Sequence, residues 1–103
     1  MGVVIITKDN IKAETAEGIT LVKFGAPWCG PCRQLAPIIE AMADEITDST
    51  IGDCNIDDEQ ELAVEFGIRS VPTTIIFKDG EVVDTIMGMQ SKAELTEKLT
   101  SFN

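Results

Sequence analysis

The chain has no histidine and only three cysteines, Cys29, Cys32 and Cys54. A tetrahedral Cys/His zinc site needs four ligands, so none can be completed within one chain, and no metal is expected. Basic residues are also scarce: eight Lys and Arg stand against eighteen Asp and Glu, a net charge of −10. The few basic side chains are scattered and form no basic face, which argues against nucleic acid or an anionic membrane as a partner. Long apolar runs are missing. Val3-Val4-Ile5-Ile6 is too short for a membrane span or a signal-peptide core, and no basic region precedes it. Met1-Gly2 does not open a myristoylation signal, because Ile6 stands where Ser or Thr is required. A cytoplasmic location is therefore expected, where dithiols are kept cycling and not locked as structural bridges. Solenoid repeats, low-complexity tracts and Gly/Ser/Pro linkers are absent too, so residues 1–103 read as one domain with one core. With no broad exposed apolar stripe in the pattern, a monomer is expected.

What the chain does have is Phe24-Gly25-Ala26-Pro27-Trp28-Cys29-Gly30-Pro31-Cys32, an apolar strand running into two cysteines and then into an amphipathic helix. Two intervening residues let the sulfurs meet across one turn, which favours a small reversible disulfide. Unpaired N–H groups and the dipole at a helix N-terminus stabilise an anion, so Cys29 is the expected nucleophile, holding its thiolate at lower pH than a free cysteine. Cys32, one turn further in, is the expected resolving thiol. Pro31 suits a first helical turn, and Gly30 keeps bulk away from the sulfur a substrate must reach. Two incidental core cysteines would not explain why this motif sits at a strand-to-helix junction.

The remaining pattern predicts a βαβαβαββα order. Val3–Ile6 reads as a strand, followed by a short helix that Asp9 or Asn10 can cap and that ends near Gly18. Thr20–Ala26 reads as a buried strand with Lys23 as an anomaly inside it. Leu35, Ile38, Ile39, Met42, Ala43 and Ile46 recur at helical spacing, with Pro37 expected to kink the helix. Ile51–Ile56 is a third strand, leading to a helix over Glu59–Phe66 that Asp58 and Glu61 can open as a capping pair and Gly67 can close. Asp79-Gly80 predicts a hairpin between Thr73–Phe77 and Val82–Met87, and Ser91 with Glu94 caps a last helix striped by Leu95, Leu99 and Phe102. The acidic run Asp57-Asp58-Glu59-Glu61 is read as solvated helix-start charge, with steering of basic partners as the other reading.

At the Trp-Cys-Gly-Pro-Cys motif the chain resembles the thioredoxin family. The resemblance extends through Pro37, Asn55-Ile56-Asp57, Phe66-Gly67-Ile68-Arg69-Ser70-Val71-Pro72-Thr73, Phe77-Lys78-Asp79-Gly80 and Gly88. It implies an α/β fold, a three-layer α/β/α sandwich around a central mixed five-stranded sheet ordered 1-3-2-4-5. Val71-Pro72, which base rates alone would make trans, is by resemblance cis and faces the cysteines, leaving the backbone of Val71 free to pair with an extended substrate. Trp28, Gly30, Pro31, Val71, Pro72, Gly88 and Met89 match the family's apolar platform around an exposed sulfur. For Trp28 the alternative is simple packing of its loop.

The sequence departs from the family at three positions. Gly25 stands where an aromatic is common, Lys23 where the family usually carries a buried aspartate, and Asp53 where it carries that aspartate's lysine neighbour. The exchange suggests a buried Lys23–Asp53 ion pair on swapped strands, with Asp53 as proton relay for Cys32; the alternative is a Lys23 stem that carries its ammonium to the surface. Cys54 reads as a small buried hydrophobe in preference to a regulatory thiol.

The implied activity is that of a thiol–disulfide oxidoreductase, a protein-disulfide reductase cycling Cys29–Cys32. By resemblance it is re-reduced by a thioredoxin reductase, acts on disulfide-containing proteins, and needs no bound cofactor beyond its redox-active disulfide. A thiol oxidase or isomerase and a non-redox binding module are the competing readings.

Overall fold

The computed structural model describes residues 2–103. Its elements are β1 (Val4–Ile5), α1 (Ile11–Thr15), β2 (Ile19–Gly25), α2 (Gly30–Glu45), β3 (Thr50–Asn55), α3 (Gln60–Glu65), β4 (Thr73–Lys78), β5 (Glu81–Met87) and α4 (Lys92–Thr100). The strands form one five-stranded sheet in the order β1-β3-β2-β4-β5. β1 and β2 run parallel to β3, whereas β4 is antiparallel to both β2 and β5. Helical crossovers join the parallel strands, and Asp79-Gly80 closes the antiparallel pair. Both loop residues have positive φ, 50° and 89°, the backbone a two-residue hairpin with right-handed strand twist requires.

Alternation along β2 divides the core between two faces. Leu21 packs with Leu35, Ile39 and Met42 of α2 and with Leu95 and Leu99 of α4. Val22 and Phe24 pack on the other face with Leu62 of α3, Ile11 of α1 and Cys54 of β3. Every residue of β2 is buried, as expected of a central strand covered on both sides. The three-layer sandwich implied by the resemblance is thus the architecture of the chain.

The helix ends follow local chemistry, with two corrections. α4 opens with the expected capping box, Ser91 accepting from the Glu94 amide and Glu94 from the Ser91 amide. Asn10 occupies the N-cap position of α1 but does not cap it; its side chain turns back, accepting from Thr7 N–H and donating to the Ile5 carbonyl. The Asp58/Glu61 capping pair does not form. α3 begins after Glu59, whose carboxylate accepts from the Lys8 backbone amide, while Glu61 pairs with the Lys8 ammonium, so the loop carrying Lys8 takes Glu61 away from the helix start. Gly67 does close α3: with φ +66° it lets its own N–H reach Val64 O and that of Ile68 reach Ala63 O, the paired bonds of a Schellman turn. α2 continues through Pro37, which lies on its exposed side, and Ile46 falls just past its end. No helix among the described residues is long and apolar enough to cross a membrane.

Candidate active site

β2 delivers the chain to the end of the sheet at Gly25, and Ala26-Pro27-Trp28 turn it into α2. Cys29 is the N-cap of that helix, in extended backbone, and its Sγ accepts the Cys32 amide hydrogen at 3.2 Å. A sulfur in this position takes the part that a Ser or Asp oxygen plays in ordinary caps, so the helix start and one sulfur of the pair are one feature. Cys29 and Cys32 are joined as a disulfide with their Cα atoms 5.2 Å apart. The expected exposed sulfur is largely covered in this oxidised form: Cys29 is 5% and Cys32 2% accessible. Ile56 and Val71 pack on the disulfide.

The Val71–Pro72 peptide bond is cis. The Val71 carbonyl oxygen lies 3.6 Å from Cys29 Sγ. Pro72 is buried, and its carbonyl accepts the Gly88 amide at 2.9 Å, tying the end of β5 to the loop opposite the cysteines. Gly88 has φ +84°, a conformation an L side chain would strain. Trp28 and Met89 are exposed at 65% and 41%. Pro31 is exposed in the first turn of α2, and nothing lies within 4 Å of where a Gly30 Cβ would stand apart from that glycine's chain neighbours and its own helix backbone. The Trp28 indole Nε1 donates to Asp57 Oδ2 at 3.0 Å, tying its loop to the segment after β3. Of Asn55-Ile56-Asp57, Ile56 packs on the cluster of Ala26, Cys29 and Cys32, and Asp57, read from the sequence as helix-start charge, holds the tryptophan.

Beneath the disulfide, Lys23 and Asp53 are in-register neighbours across β2 and β3. Lys23 Nζ lies 3.4 Å from Asp53 Oδ1 and donates at 3.4 Å to the Cys32 carbonyl. The lysine does not carry its ammonium to the surface. The pair is nevertheless only half buried, with the Lys23 side chain 6% and that of Asp53 37% accessible, because β3 lies nearer the sheet edge than β2. Both line a cavity of about 180 Å³ that also borders Gly25, Cys32 and Arg33. Arg33, on the polar side of α2, donates from its guanidinium to the Pro27 carbonyl at 2.9 Å. Cys54 points to the opposite face, fully buried with Val22 and Phe24, and burial, aided by the charges of Glu59, Asp53 and Asp58, pushes its thiol up to about 12. Among the described residues no three His, Cys, Asp or Glu side chains converge to hold a metal.

Chemically, this arrangement is a two-electron couple with one sulfur at a helix mouth, a backbone carbonyl beside it and an apolar rim around it. The thioredoxin family model matches residues 2–101. The chain is 43% identical to thioredoxin of Bacillus subtilis over 98 residues, 94% of each chain. Against thioredoxin of Chlamydia pneumoniae it is 45% identical over 92 residues, covering 89% of this chain and 90% of that one. Among solved structures, a point mutant of thioredoxin from Halobacterium salinarum superposes with a TM-score of 0.92 at 33% identity, spanning 98% of this chain and 90% of that one. The Malassezia sympodialis thioredoxin follows at 0.87 and 30% identity, over 98% and 91%.

Proposed function

The chain belongs to the thioredoxin family and is a thiol–disulfide oxidoreductase, and from that premise we propose that Cys29 attacks substrate disulfides and Cys32 resolves the adduct. The observation that carries this reading is the closed disulfide at the start of α2, with Cys29 Sγ accepting the Cys32 amide. In the dithiol form, the Cys29 thiolate attacks one sulfur of a protein disulfide. A Cys29–substrate bond forms, the substrate S–S bond breaks, and the second substrate sulfur leaves as a thiolate. Cys32, deprotonated, then attacks Cys29 Sγ. The intramolecular disulfide closes and the first substrate sulfur departs, so two electrons have passed from the cysteine pair to the substrate.

Trp28, Gly30, Pro31, Val71, Pro72, Gly88 and Met89 form the platform that receives the substrate. The Val71 carbonyl beside Cys29 Sγ is placed to pair with an extended segment as a sheet edge pairs with an added strand. Asp53, in contact with the cavity below Cys32, takes the proton that Cys32 loses, with Lys23 as its ionic partner. Residues 1–103 act as one monomeric domain carrying electrons in the cytoplasm from a thioredoxin reductase to protein disulfides.

Trapping tests the assignment. With a model protein disulfide and a thioredoxin reductase, the native chain turns over, Cys32→Ser accumulates a mixed disulfide at residue 29, and Cys29→Ser is inactive. Turnover by Cys29→Ser would reject it. In the same assay Asp53→Asn raises the pH at which turnover saturates, and an unchanged pH profile would remove the relay.

A further inference from the structure

A lysine is an expensive residue to place beneath the start of α2. Its charge opposes the positive end of the helix, and burial adds a desolvation cost. Its side chain is 6% accessible, and the one carboxylate it pairs with is itself more than a third exposed. The ammonium also reaches towards the first turn of α2, donating to the Cys32 carbonyl. Gly25 accounts for the space. A Cβ there would stand 3.0 Å from Cys32 Sγ and 3.4 Å from Lys23 Cε, so the sulfur and the end of the lysine stem are neighbours across a gap that a single methyl group would fill. The charged groups facing this gap are Lys23 from β2, Asp53 from β3 and Arg33 from α2, with Glu40 and Asp44 of α2 around the adjoining hollow.

We propose that the Lys23 ammonium is the counter-charge for the Cys32 sulfur when the disulfide opens, making Lys23 a positioning residue of the redox step. The inference rests on the oxidoreductase reading of the Cys29–Cys32 pair. During re-reduction an external thiolate attacks Cys29 Sγ. The Cys29–Cys32 bond breaks, and its electron pair leaves on Cys32 Sγ as a thiolate facing both the ammonium and the helix N-terminus. A second external thiolate then attacks the external sulfur of the mixed disulfide and releases Cys29. The two donor thiols end as a disulfide, and Cys32 stays a thiolate wherever the pH exceeds its ionisation range, taking up a proton below it. In the substrate-reducing direction the same charge favours the Cys32 anion that closes the ring. The positive charge therefore stabilises the reduced, anionic side of the couple.

The experiment is equilibration of the purified full chain with glutathione and glutathione disulfide at about pH 9.5, above the ordinary thiol range so that the Cys32 anion is part of the reduced state, followed by acid trapping and mass spectrometry. Lys23→Met shifts the equilibrium toward the Cys29–Cys32 disulfide by about tenfold, equivalent to about 30 mV for a two-electron couple. Lys23→Arg, which keeps the charge, stays within about twofold of the native chain, and Lys23→Met with Asp53→Asn retains the direction of the shift, which excludes a stranded carboxylate as its source. A Lys23→Met equilibrium within about twofold of native, or a double variant that returns to the native value, overturns the proposal. Should these variants not fold, the native dithiol form decides by NMR titration. Cys32 ionising no higher than an ordinary cysteine, despite its burial, supports the counter-charge, and ionisation well above that range overturns it. Failure of the native pair to exchange with glutathione at all would sink both readings, whereas exchange with an unmoved Lys23→Met equilibrium would sink only this one.

Discussion

Cys54 isolates what burial does to a thiol when no redox partner is in reach. It faces the core side of β3 with Val22 and Phe24 as neighbours, and its thiol is held up to about 12 against an ordinary value of 9.0, by burial first and the nearby carboxylates second. The folded chain binds that proton more tightly than the unfolded chain does. The resulting stabilisation is complete below about pH 9 and is lost as pH rises towards 12. Denaturant melts across that window should show less alkaline destabilisation for Cys54→Ala than for the native chain, relative to each protein's value at pH 7. In the folded protein Cys54 should also resist alkylation at pH 8, as peptide mapping would report. Alternation along β3, readable in the sequence, placed Cys54 opposite Asp53. The extent of Asp53's exposure was not readable, because it depends on where β3 lies in the sheet.

At the scale of elements, α2 joins the chemistry to the core. Its N-cap is Cys29, and its buried stripe continues through Leu35, Ile39 and Met42, each no more than 1% accessible. Leu35 lies within one turn of Cys32. Truncation by Leu35→Ala should cost about 2–5 kcal/mol in urea unfolding, from lost transfer energy and the cavity left between α2 and the sheet. Because the sulfurs are positioned by the first turn, the same variant should slow disulfide exchange less than it lowers stability. An unfolding free energy within about 0.5 kcal/mol of native would contradict the packing assigned to this helix. The stripe, the Ser91/Glu94 box and the Asp79-Gly80 hairpin were legible because each is local: periodicity or a turn signal identifies it without reference to the rest of the chain. The start of α3 was legible to within one residue, but its cap was not. Lys8, 51 residues earlier than the Glu59 carboxylate that accepts its amide, decides which way the acidic side chains turn.

For the molecule as a whole, a charge of −10 sets an electrostatic preference among partners. Asp57, bonded to Trp28, brings the acidic run at the start of α3 to the rim of the disulfide. Encounter with a disulfide protein of basic surface should therefore be accelerated at low salt and slowed as ions screen the field, by about tenfold between 0.02 and 0.5 M NaCl. An acidic substrate of similar disulfide potential should show no such decline. Stopped-flow oxidation of the dithiol form, followed by Trp28 fluorescence, measures both rates; equal salt dependence for the two substrates would remove the steering role.

By itself the sequence determined the element order, the location of the dithiol at a strand-to-helix junction, the two hydrophobic faces of the sheet and the side of β3 on which Cys54 lies, since all of these follow from spacing along one segment. The strand order 1-3-2-4-5 entered through family resemblance and is the order in the fold. Tertiary structure alone decided that Lys23 keeps its ammonium inside against Asp53 and the Cys32 carbonyl, that Gly25 leaves a gap between that lysine and the sulfur, and that Asp57 holds Trp28. Each of these depends on segments distant in the chain being brought within a few ångströms, and on how much solvent the neighbouring strands exclude.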